Sequence, residues 1–326
     1  MHDLDRRSLL ALAGTAALLP AVATAAEQTL PAPQSTTRLW PGTTAPGLIN
    51  KALADHVIQR GEDPSWPDRA MDHIRDPRID VFPARGTPNG AAVLITPGGG
   101  YLRVVVDKEG YELADWLAAR GVTAFVLFYR LPGDGWANQE NVPLADAQRA
   151  MRLIRANAAR WKIDPKRVAI AGFSAGGHLC ADLATRFDRK VYAPVDAADT
   201  LDARPMLAAP LYPVVSMDPA IAHMGSRTQL LGANPTAEQV REHSVDLQVT
   251  RATPPCFLMH AEDDRTVPVE NTVRLRAALK AAGVPVETHL FEEGGHGFGL
   301  RTPKENPAAA WPELYFTWAK KHGLLG

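Results

Sequence analysis

The chain has 326 residues, and its 35 basic and 36 acidic side chains leave a formal charge of −1 without long runs of one sign. This balance argues against a polyphosphate partner, so we expect no binding to nucleic acid. A content of 46% hydrophobic and 22% charged residues excludes a disordered chain, and the length allows two domains or one large α/β unit.

The N-terminal segment has the organisation of an export signal. Arg6 and Arg7 precede an apolar run at residues 9–19, and a small-x-small cleavage pattern follows at 23–25. The run is shorter than the ~20 apolar residues of a transmembrane helix, so we expect no stable membrane anchor. Residues 1–26 are predicted to be a signal peptide, and the paired arginines favour twin-arginine export to the periplasm or the exterior.

Residues 27–79 are rich in proline, threonine and turn formers, which predicts an extended lead-in. Beyond it, short β-branched apolar runs alternate with longer amphipathic segments. The predicted strands are 91–96, 122–129, 168–171, 206–212, 256–260 and 286–291. The predicted helices are 110–120, 144–161, 175–187, 271–282 and 311–321.

This alternation predicts a parallel sheet covered by helices on both faces. The first three strands are almost continuously apolar, as expected of strands buried on both sides. No linker or internal repeat divides the region. We therefore predict a single doubly wound, mostly parallel α/β domain over residues 80–326.

Residues 172–176 read G-F-S-A-G and lie between a predicted strand and a predicted helix. In that context G-x-S-x-G forms a reversal so tight that the serine is strained, and the glycines remove side chains that would clash. Ser174 is then a nucleophile at the positive end of a helix. The absence of G-x-G-x-x-G and G-K-[ST] argues against a nucleotide cofactor.

A second glycine-rich segment, residues 97–101, directly follows an earlier predicted strand. Acyl transfer builds negative charge on the carbonyl oxygen, and main-chain N–H groups without side-chain obstruction can receive it. We expect Gly99, Gly100 and Ala175 to supply these donors. Three glycines alone indicate only a flexible loop, but their place after a strand of the same sheet favours an oxyanion hole.

The acid and the base are predicted from the late strands. The D-x-x-V-P spacing favours Asp264 as the triad acid and leaves Asp263 as a turn-stabilising carboxylate. The order serine, acid, histidine that accompanies a G-x-S-x-G turn leaves three histidines beyond the acid. Of these, His296 is flanked by glycines and is the predicted base. His178, one helical turn after the serine, is expected to have a bracing role.

Other chemistries receive less support. The neighbouring carboxylates at 263–264 and 292–293 tend to diverge rather than face each other across a glycosidic bond. No H-E-x-x-H pattern is present, and two cysteines, Cys180 and Cys256, are too few for a cysteine zinc cluster. We therefore expect no metal and no cofactor, with both thiols packed as small hydrophobes.

Six segments together form a specific pattern: P-G-G-G-Y at 97–101, D-K-E-G at 107–110, Y-R-L-P at 129–132, D-A-Q-R-A at 146–150, G-F-S-A-G-G-H at 172–178 and G-G-H-G-F at 294–298. The pattern resembles the acetylxylan-esterase-like α/β hydrolases, which are related to bifunctional acetylxylan and feruloyl esterases. This resemblance implies an α/β-hydrolase fold and serine esterase chemistry on polysaccharide esters, with Ser174, Asp264 and His296 as the triad. Pro97 stands where the lipase-type H-G-G-G loop has histidine.

Several residues of these segments are given structural interpretations. Asp107 is expected to cap the following helix. Asp146 and Arg149, at i and i+3, are expected to form a partly exposed pair. Tyr101 and Trp136 are predicted to line an acyl or sugar pocket, because aromatic faces suit pyranose rings.

The sequence therefore predicts a secreted serine carboxylesterase that acts on a small-molecule or oligosaccharide ester, most specifically the acetyl groups of xylan. The alternatives are a general short-chain carboxylesterase, a feruloyl esterase, a serine peptidase of the same fold, and a carbohydrate-binding module with an inert triad. The sequence carries no indication of the oligomeric state.

Overall fold

A computed structural model describes residues 31–42, 45–63 and 66–326. The predicted signal peptide, residues 1–26, lies outside the described residues. The described strands are β1 (Ser35–Arg38), β2 (His56–Gln59), β3 (Arg69–Asp72), β4 (Arg78–Phe82), β5 (Ala92–Thr96), β6 (Val104–Val105), β7 (Thr123–Phe128), β8 (Val168–Phe173), β9 (Ala208–Leu211), β10 (Cys256–Ala261) and β11 (Val286–Phe291). The described α-helices are α1 (Glu112–Ala118), α2 (Val142–Ala156), α3 (Ser174–Arg186), α4 (Met224–Leu231), α5 (Ala237–Glu242), α6 (Glu270–Ala281) and α7 (Trp311–Lys321).

One large sheet organises the chain, with strand order β1-β4-β7-β5-β8-β9-β10-β11. The pairs from β7 to β11 are parallel, and β1 and β4 extend the sheet antiparallel at one edge. Helices α1, α3, α6 and α7 pack against its strands. The predicted α/β architecture, a mostly parallel sheet with helices around it, is confirmed. None of the described helices is long and apolar enough to span a membrane.

The centre of the sheet explains its sequence pattern. Every residue of β5, β7 and β8 is buried. A parallel strand with both faces covered needs apolar side chains at successive positions rather than at alternate ones. Cys180 and Cys256 are buried free thiols.

The described part of the predicted lead-in contains more structure than an extended segment. β1 pairs with β4 and forms an edge of the main sheet, with Ser35 opposite Val81. β4 begins at Arg78, so the predicted boundary at residue 80 falls inside a strand. β2 and β3 form a separate antiparallel sheet with β6.

The expected pair between Asp146 and Arg149 does not form, so this prediction is wrong. Asp146 is buried and binds the guanidinium of Arg130, with Arg130 Nη2 2.8 Å from Asp146 Oδ1. Trp40 Nε1 also donates to Asp146 Oδ1, at 2.7 Å. Arg149 instead donates to Asp196, at 2.7 and 2.5 Å. Each buried charge needs its own opposite charge and hydrogen bonds, and these come from outside helix α2.

Candidate active site

The turn from β8 into α3 holds Ser174 in a left-handed conformation, with φ of +55°. Such a φ is strained in a residue other than glycine and persists only where the surroundings impose it. A Cβ on Gly172 would collide with Gly176 O and Thr96 Oγ1, and a Cβ on Gly176 would collide with the carbonyl oxygens of Thr96 and Pro97. Both positions therefore require glycine, and the serine hydroxyl stands at the carboxyl end of the sheet.

Ser174, His296 and Asp264 form one continuous chain of hydrogen bonds. His296 Nε2 lies 2.8 Å from Ser174 Oγ, and His296 Nδ1 lies 2.6 Å from Asp264 Oδ2. Beside an ionised carboxylate Nδ1 carries the proton, which leaves Nε2 free to accept the serine proton. The three residues follow the parallel strands β8, β10 and β11, whose carboxyl ends meet at one edge of the sheet.

Asp264 is held by four donors. Its Oδ1 accepts from the N–H groups of Thr266 and Val267 at 2.8 and 2.9 Å. Its Oδ2 accepts from His296 at 2.6 Å and contacts His260 Nε2 at 3.1 Å. Burial raises the pKa of this carboxyl, but the hydrogen bonds from His260 and His296 outweigh burial and hold the pKa well below its usual range. The carboxylate therefore stays ionised and fixes the orientation of the imidazole.

Asp263, the neighbouring aspartate, contacts a different part of the site. Its Oδ1 accepts from the N–H groups of Gly294 and Gly295 at 2.9 and 2.8 Å. These glycines directly precede His296, so Asp263 supports the loop that carries the histidine. The structure thus brings Asp264, and not Asp263, to the imidazole.

The predicted oxyanion donors surround the serine. Gly99 and Gly100 line the same cavity as Ser174, and their φ values are +128° and +69°. Among the described residues, no acceptor engages the N–H of either glycine. Ala175 is the second residue of α3, where a helix leaves N–H groups without an intrahelical partner. Three main-chain donors are therefore free to receive a developing oxyanion.

Glu109 links two loops of the site, the oxyanion loop at residues 97–101 and the histidine loop at residues 294–299. Its sequence position alone did not indicate this role. Glu109 is buried in a π-helical turn that precedes α1. Its Oε2 accepts from Gly98 N at 2.9 Å, and its Oε1 accepts from the hydroxyl of Tyr212 at 3.0 Å. The same tyrosine oxygen accepts from Gly299 N at 3.0 Å. Glu109 therefore positions both loops, and the D-K-E-G segment was its only sequence signal.

The predicted capping role of Asp107 is wrong. Asp107 Oδ2 accepts from the main-chain N–H of Arg69 at 2.6 Å, and Oδ1 accepts from Nη2 of the same residue at 2.6 Å. The preceding residue, Val106, already has helical dihedral angles and makes no capping bond. The carboxylate therefore joins the π-helical turn to β3, through both the main chain and the guanidinium of Arg69.

Neither Tyr101 nor Trp136 lines the cavity, so the predicted substrate contacts are wrong. Tyr101 has φ of +60°, which turns its ring inward, and its hydroxyl lies 2.7 Å from His178 Nδ1. His178 Nε2 lies 2.7 Å from the carbonyl oxygen of His243 and donates to it, so Nδ1 accepts the phenolic proton. Trp136 is buried, with the guanidinium of Arg130 5.2 Å from its ring. Tyr101 thus anchors the oxyanion loop to α3.

A cavity of about 380 Å³ opens at Ser174. His223, which the sequence analysis did not single out, lines it opposite Gly100. Burial and then the nearby His296 lower the pKa of His223. Because its Nδ1 accepts from Ser226 N at 3.2 Å, the neutral ring carries its proton on Nε2. Within the described ranges, no group of three or more His, Cys, Asp or Glu side chains is placed to hold a metal ion.

Replacing Glu109 by glutamine is expected to lower kcat by about tenfold. The side chain then has one acceptor oxygen instead of two, so either Gly98 N–H or the Tyr212 hydroxyl loses its acceptor. Steady-state hydrolysis of p-nitrophenyl acetate measures this. The matched control is Glu313→Gln, since Glu313 is an exposed carboxylate paired with Arg120. An unchanged kcat in Glu109→Gln would show that the carboxylate does not position the loops.

Comparison with known proteins identifies the family of this chain and its relatives. The family model BD-FAE matches residues 80–279. An acetylxylan esterase of Xylanibacter ruminicola is 35% identical over 220 residues, and an endo-1,4-beta-xylanase B of Butyrivibrio fibrisolvens is 39% identical over 205 residues. These matches cover 66% and 63% of this chain but 42% and 32% of those proteins, so the chain spans less than half of either relative.

Solved structures of two hydrolases are similar to this chain. The acetyl ester-xyloside bifunctional hydrolase from Caldicellulosiruptor lactoaceticus has a TM-score of 0.74 and 33% identity, over 92% of this chain and 100% of that chain. The carboxylesterase Cest-2923 from Lactobacillus plantarum, with a TM-score of 0.63 and 24% identity, covers 83% of this chain and 99% of its own and shares the fold. The chain belongs to the BD-FAE family, within the acetylxylan-esterase-like α/β hydrolases that its motifs resemble.

Proposed function

We propose that the protein is a serine carboxylesterase that removes small acyl groups, acetyl above all, from xylan or a related plant polysaccharide. One observation carries the proposal: the unbroken hydrogen-bonded chain from Asp264 through His296 to Ser174, which opens into a cavity beside free main-chain donors. The names of the acetylxylan esterase and of the acetyl ester-xyloside hydrolase support the choice of substrate.

The reaction follows from the positions of these groups. His296 takes the proton of Ser174 as the serine oxygen attacks the ester carbonyl, and the N–H groups of Gly99, Gly100 and Ala175 receive the oxyanion. The imidazolium then protonates the leaving alcohol, and an acyl-enzyme remains. Water attacks this intermediate under the same base and releases the acid and the serine. The ionised Asp264 stabilises the imidazolium in both steps.

The cavity supports ester cleavage rather than glycoside cleavage. Among the described residues that line it, Glu109 is the only carboxylic acid. Both of its oxygens are engaged, by Gly98 and by Tyr212. Glycoside hydrolysis commonly needs two carboxyl groups that face each other across the bond. One relative is named a xylanase, but the described lining of this cavity lacks the second carboxyl group that glycoside hydrolysis commonly needs.

We also propose that the protein is exported to the periplasm or the exterior after cleavage near residue 26. The support is the paired arginines Arg6 and Arg7, followed by a short apolar run and a small-x-small pattern. N-terminal sequencing of the mature protein tests the position of cleavage.

Acetate release from acetylated xylan tests the substrate assignment. We expect the purified enzyme to release acetate from this polymer more efficiently than ferulate from feruloylated arabinoxylan, because an acetylxylan esterase and an acetyl ester-xyloside hydrolase are among the proteins that this chain resembles. A faster release of ferulate would favour a feruloyl esterase, and turnover of chromogenic short esters alone would favour a general carboxylesterase. Cleavage of amides instead of esters would favour a peptidase, and no turnover would favour a binding module.

A further inference from the structure

Three cationic side chains line the cavity that contains Ser174: Arg60, Arg103 and Lys108. They come from separate parts of the chain, namely the residue after β2, the turn that follows the oxyanion loop, and the π-helical turn before α1. The one acid among the described lining residues, Glu109, is buried with both oxygens hydrogen-bonded. The accessible wall of the cavity is therefore positively charged.

The surroundings neutralise only part of this charge. Arg60 Nη2 and Lys108 Nζ lie 3.5 and 4.0 Å from the same oxygen of Asp68. One carboxylate carries one negative charge, so it balances only one of the two cations. Arg103 has no acidic partner among the described residues. The Glu109 carboxylate is a second acid at the cavity, so two acids stand against three cations. About one positive charge at the cavity thus lacks compensation, and an anionic group that enters could supply it.

The cations flank the path of the alcohol part of the ester. The place where a Cβ on Gly297 would stand lies 3.5 Å from Glu109 Oε1 and 4.0 Å from Lys108 Nζ, and Gly297 directly follows His296. Because the hydroxyl of Tyr212 already donates to Glu109 Oε1, Lys108 is the charged group on this side that can donate to a substrate. Because His296 gives its proton to the leaving alcohol, that portion of the substrate lies on the same side. Arg103 lies beside the oxyanion glycines, where its main-chain N–H donates to the carbonyl oxygen of Gly99 at 3.2 Å.

This inference rests on the proposed esterase function and specifies its substrate further. We propose that the cavity binds a carboxylate on the alcohol part of the substrate, so that the preferred esters lie on sugar chains that carry uronic acid units. Arg103 and Lys108 determine this specificity. A guanidinium binds a carboxylate through paired hydrogen bonds, and the ammonium adds a point charge. A neutral oligosaccharide lacks this interaction.

The test compares two acetylated xylo-oligosaccharides that differ only in a glucuronic acid branch. The quantity measured is the ratio of their kcat/KM values, charged over neutral. The double variant Arg103→Gln, Lys108→Gln is expected to lower this ratio by about tenfold, mainly through KM, because a charge-assisted hydrogen bond is lost. High salt is expected to lower the ratio of the wild-type enzyme as well, since it screens exposed charges.

Two further variants separate local contact from overall charge. Arg251→Gln makes the same change at an exposed arginine outside the cavity and is expected to leave the ratio unchanged. Arg103→Lys keeps the charge without the paired hydrogen bonds and is expected to retain an intermediate ratio. An equal loss in Arg251→Gln would show that net charge, and not the cavity, sets the preference.

The remaining outcomes distinguish this inference from the proposed function. Equal kcat/KM values of the wild-type enzyme for the charged and the neutral oligosaccharide would overturn the carboxylate site while leaving the esterase assignment intact. Failure to hydrolyse either one while p-nitrophenyl acetate is still hydrolysed would contradict the assignment of xylan esters as the substrate. Failure to hydrolyse all three would contradict the esterase assignment itself. A strong preference for p-nitrophenyl hemisuccinate over p-nitrophenyl acetate, lost in the double variant, would place the carboxylate on the acyl side and overturn the proposed orientation.

Discussion

Replacement of Ser174 by alanine is expected to lower kcat for ester hydrolysis by about 10⁴-fold or more, the effect seen when the nucleophile of a serine triad is removed. The hydroxyl 2.8 Å from His296 Nε2 is the group that would become acylated. Alanine keeps the Cβ at this left-handed position, so the turn from β8 into α3 is not otherwise changed. Hydrolysis of p-nitrophenyl acetate and acetylated xylan measures the loss.

The matched control is Ser216→Ala, which removes another buried hydroxyl outside the cavity. Ser216 Oγ accepts from Asp218 N at 3.1 Å, so this change affects a local turn and is expected to preserve most of the activity. A fluorophosphonate probe is expected to label the wild-type protein and Ser216→Ala, but not Ser174→Ala. Turnover by Ser174→Ala within about tenfold of wild type would refute the nucleophile.

Asp264→Asn is expected to lower kcat by about 10³- to 10⁴-fold with the fold preserved. The N–H groups of Thr266 and Val267 require an acceptor at the Oδ1 position. The amide oxygen therefore occupies that position, and the amide NH₂ faces His296 where Oδ2 stood. The imidazole then places its proton on Nε2 and cannot accept the proton of Ser174. Steady-state kinetics on p-nitrophenyl acetate measure this loss.

Asp263→Asn provides the matched control at the adjacent position. Its amide oxygen can still accept from Gly294 and Gly295, so kcat is expected to stay within about tenfold of wild type. Equal losses in the two variants would contradict the assignment of the acid to Asp264.

The Asp264→Asn variant also tests the charge of Asp264 in the folded protein. Because hydrogen bonds lower its pKa on folding, the ionised carboxylate stabilises the fold above about pH 4, and this contribution is lost as the pH falls through the folded-state pKa. The difference in unfolding free energy between wild type and Asp264→Asn is therefore expected to narrow in acid. Urea denaturation at several pH values measures it, and a difference that widens in acid would contradict the direction of the pKa shift.

Local patterns sufficed to predict much of the sheet and the placement of the central motif. The strand at 286–291 and the helix at 311–321 were predicted with the same bounds as β11 and α7. The serine turn could be predicted because its constraint is local: two glycines four positions apart permit one strained residue between them. Helices α4 and α5 were not predicted, because they are short and their apolar faces are weak.

The predictions that failed concern the direction in which a side chain points. Tyr101 follows the oxyanion glycines. From its sequence position alone, the ring could equally line the pocket or anchor the loop to the core. Its left-handed φ and the acceptor offered by His178 turn the ring inward. Asp107 and Asp146 likewise have partners from distant segments, which no spacing within their own helices indicates.

The sequence by itself determined the alternation of strands and helices and the motif at each strand end, since both depend on neighbours along the chain. Only the tertiary structure decided that Glu109 joins the loop of Gly98 to the loop of His296 and that Arg60, Arg103 and Lys108 meet at one cavity. These contacts depend on strand order and on the register between distant segments. Packing sets both through the whole core, so no single segment encodes them.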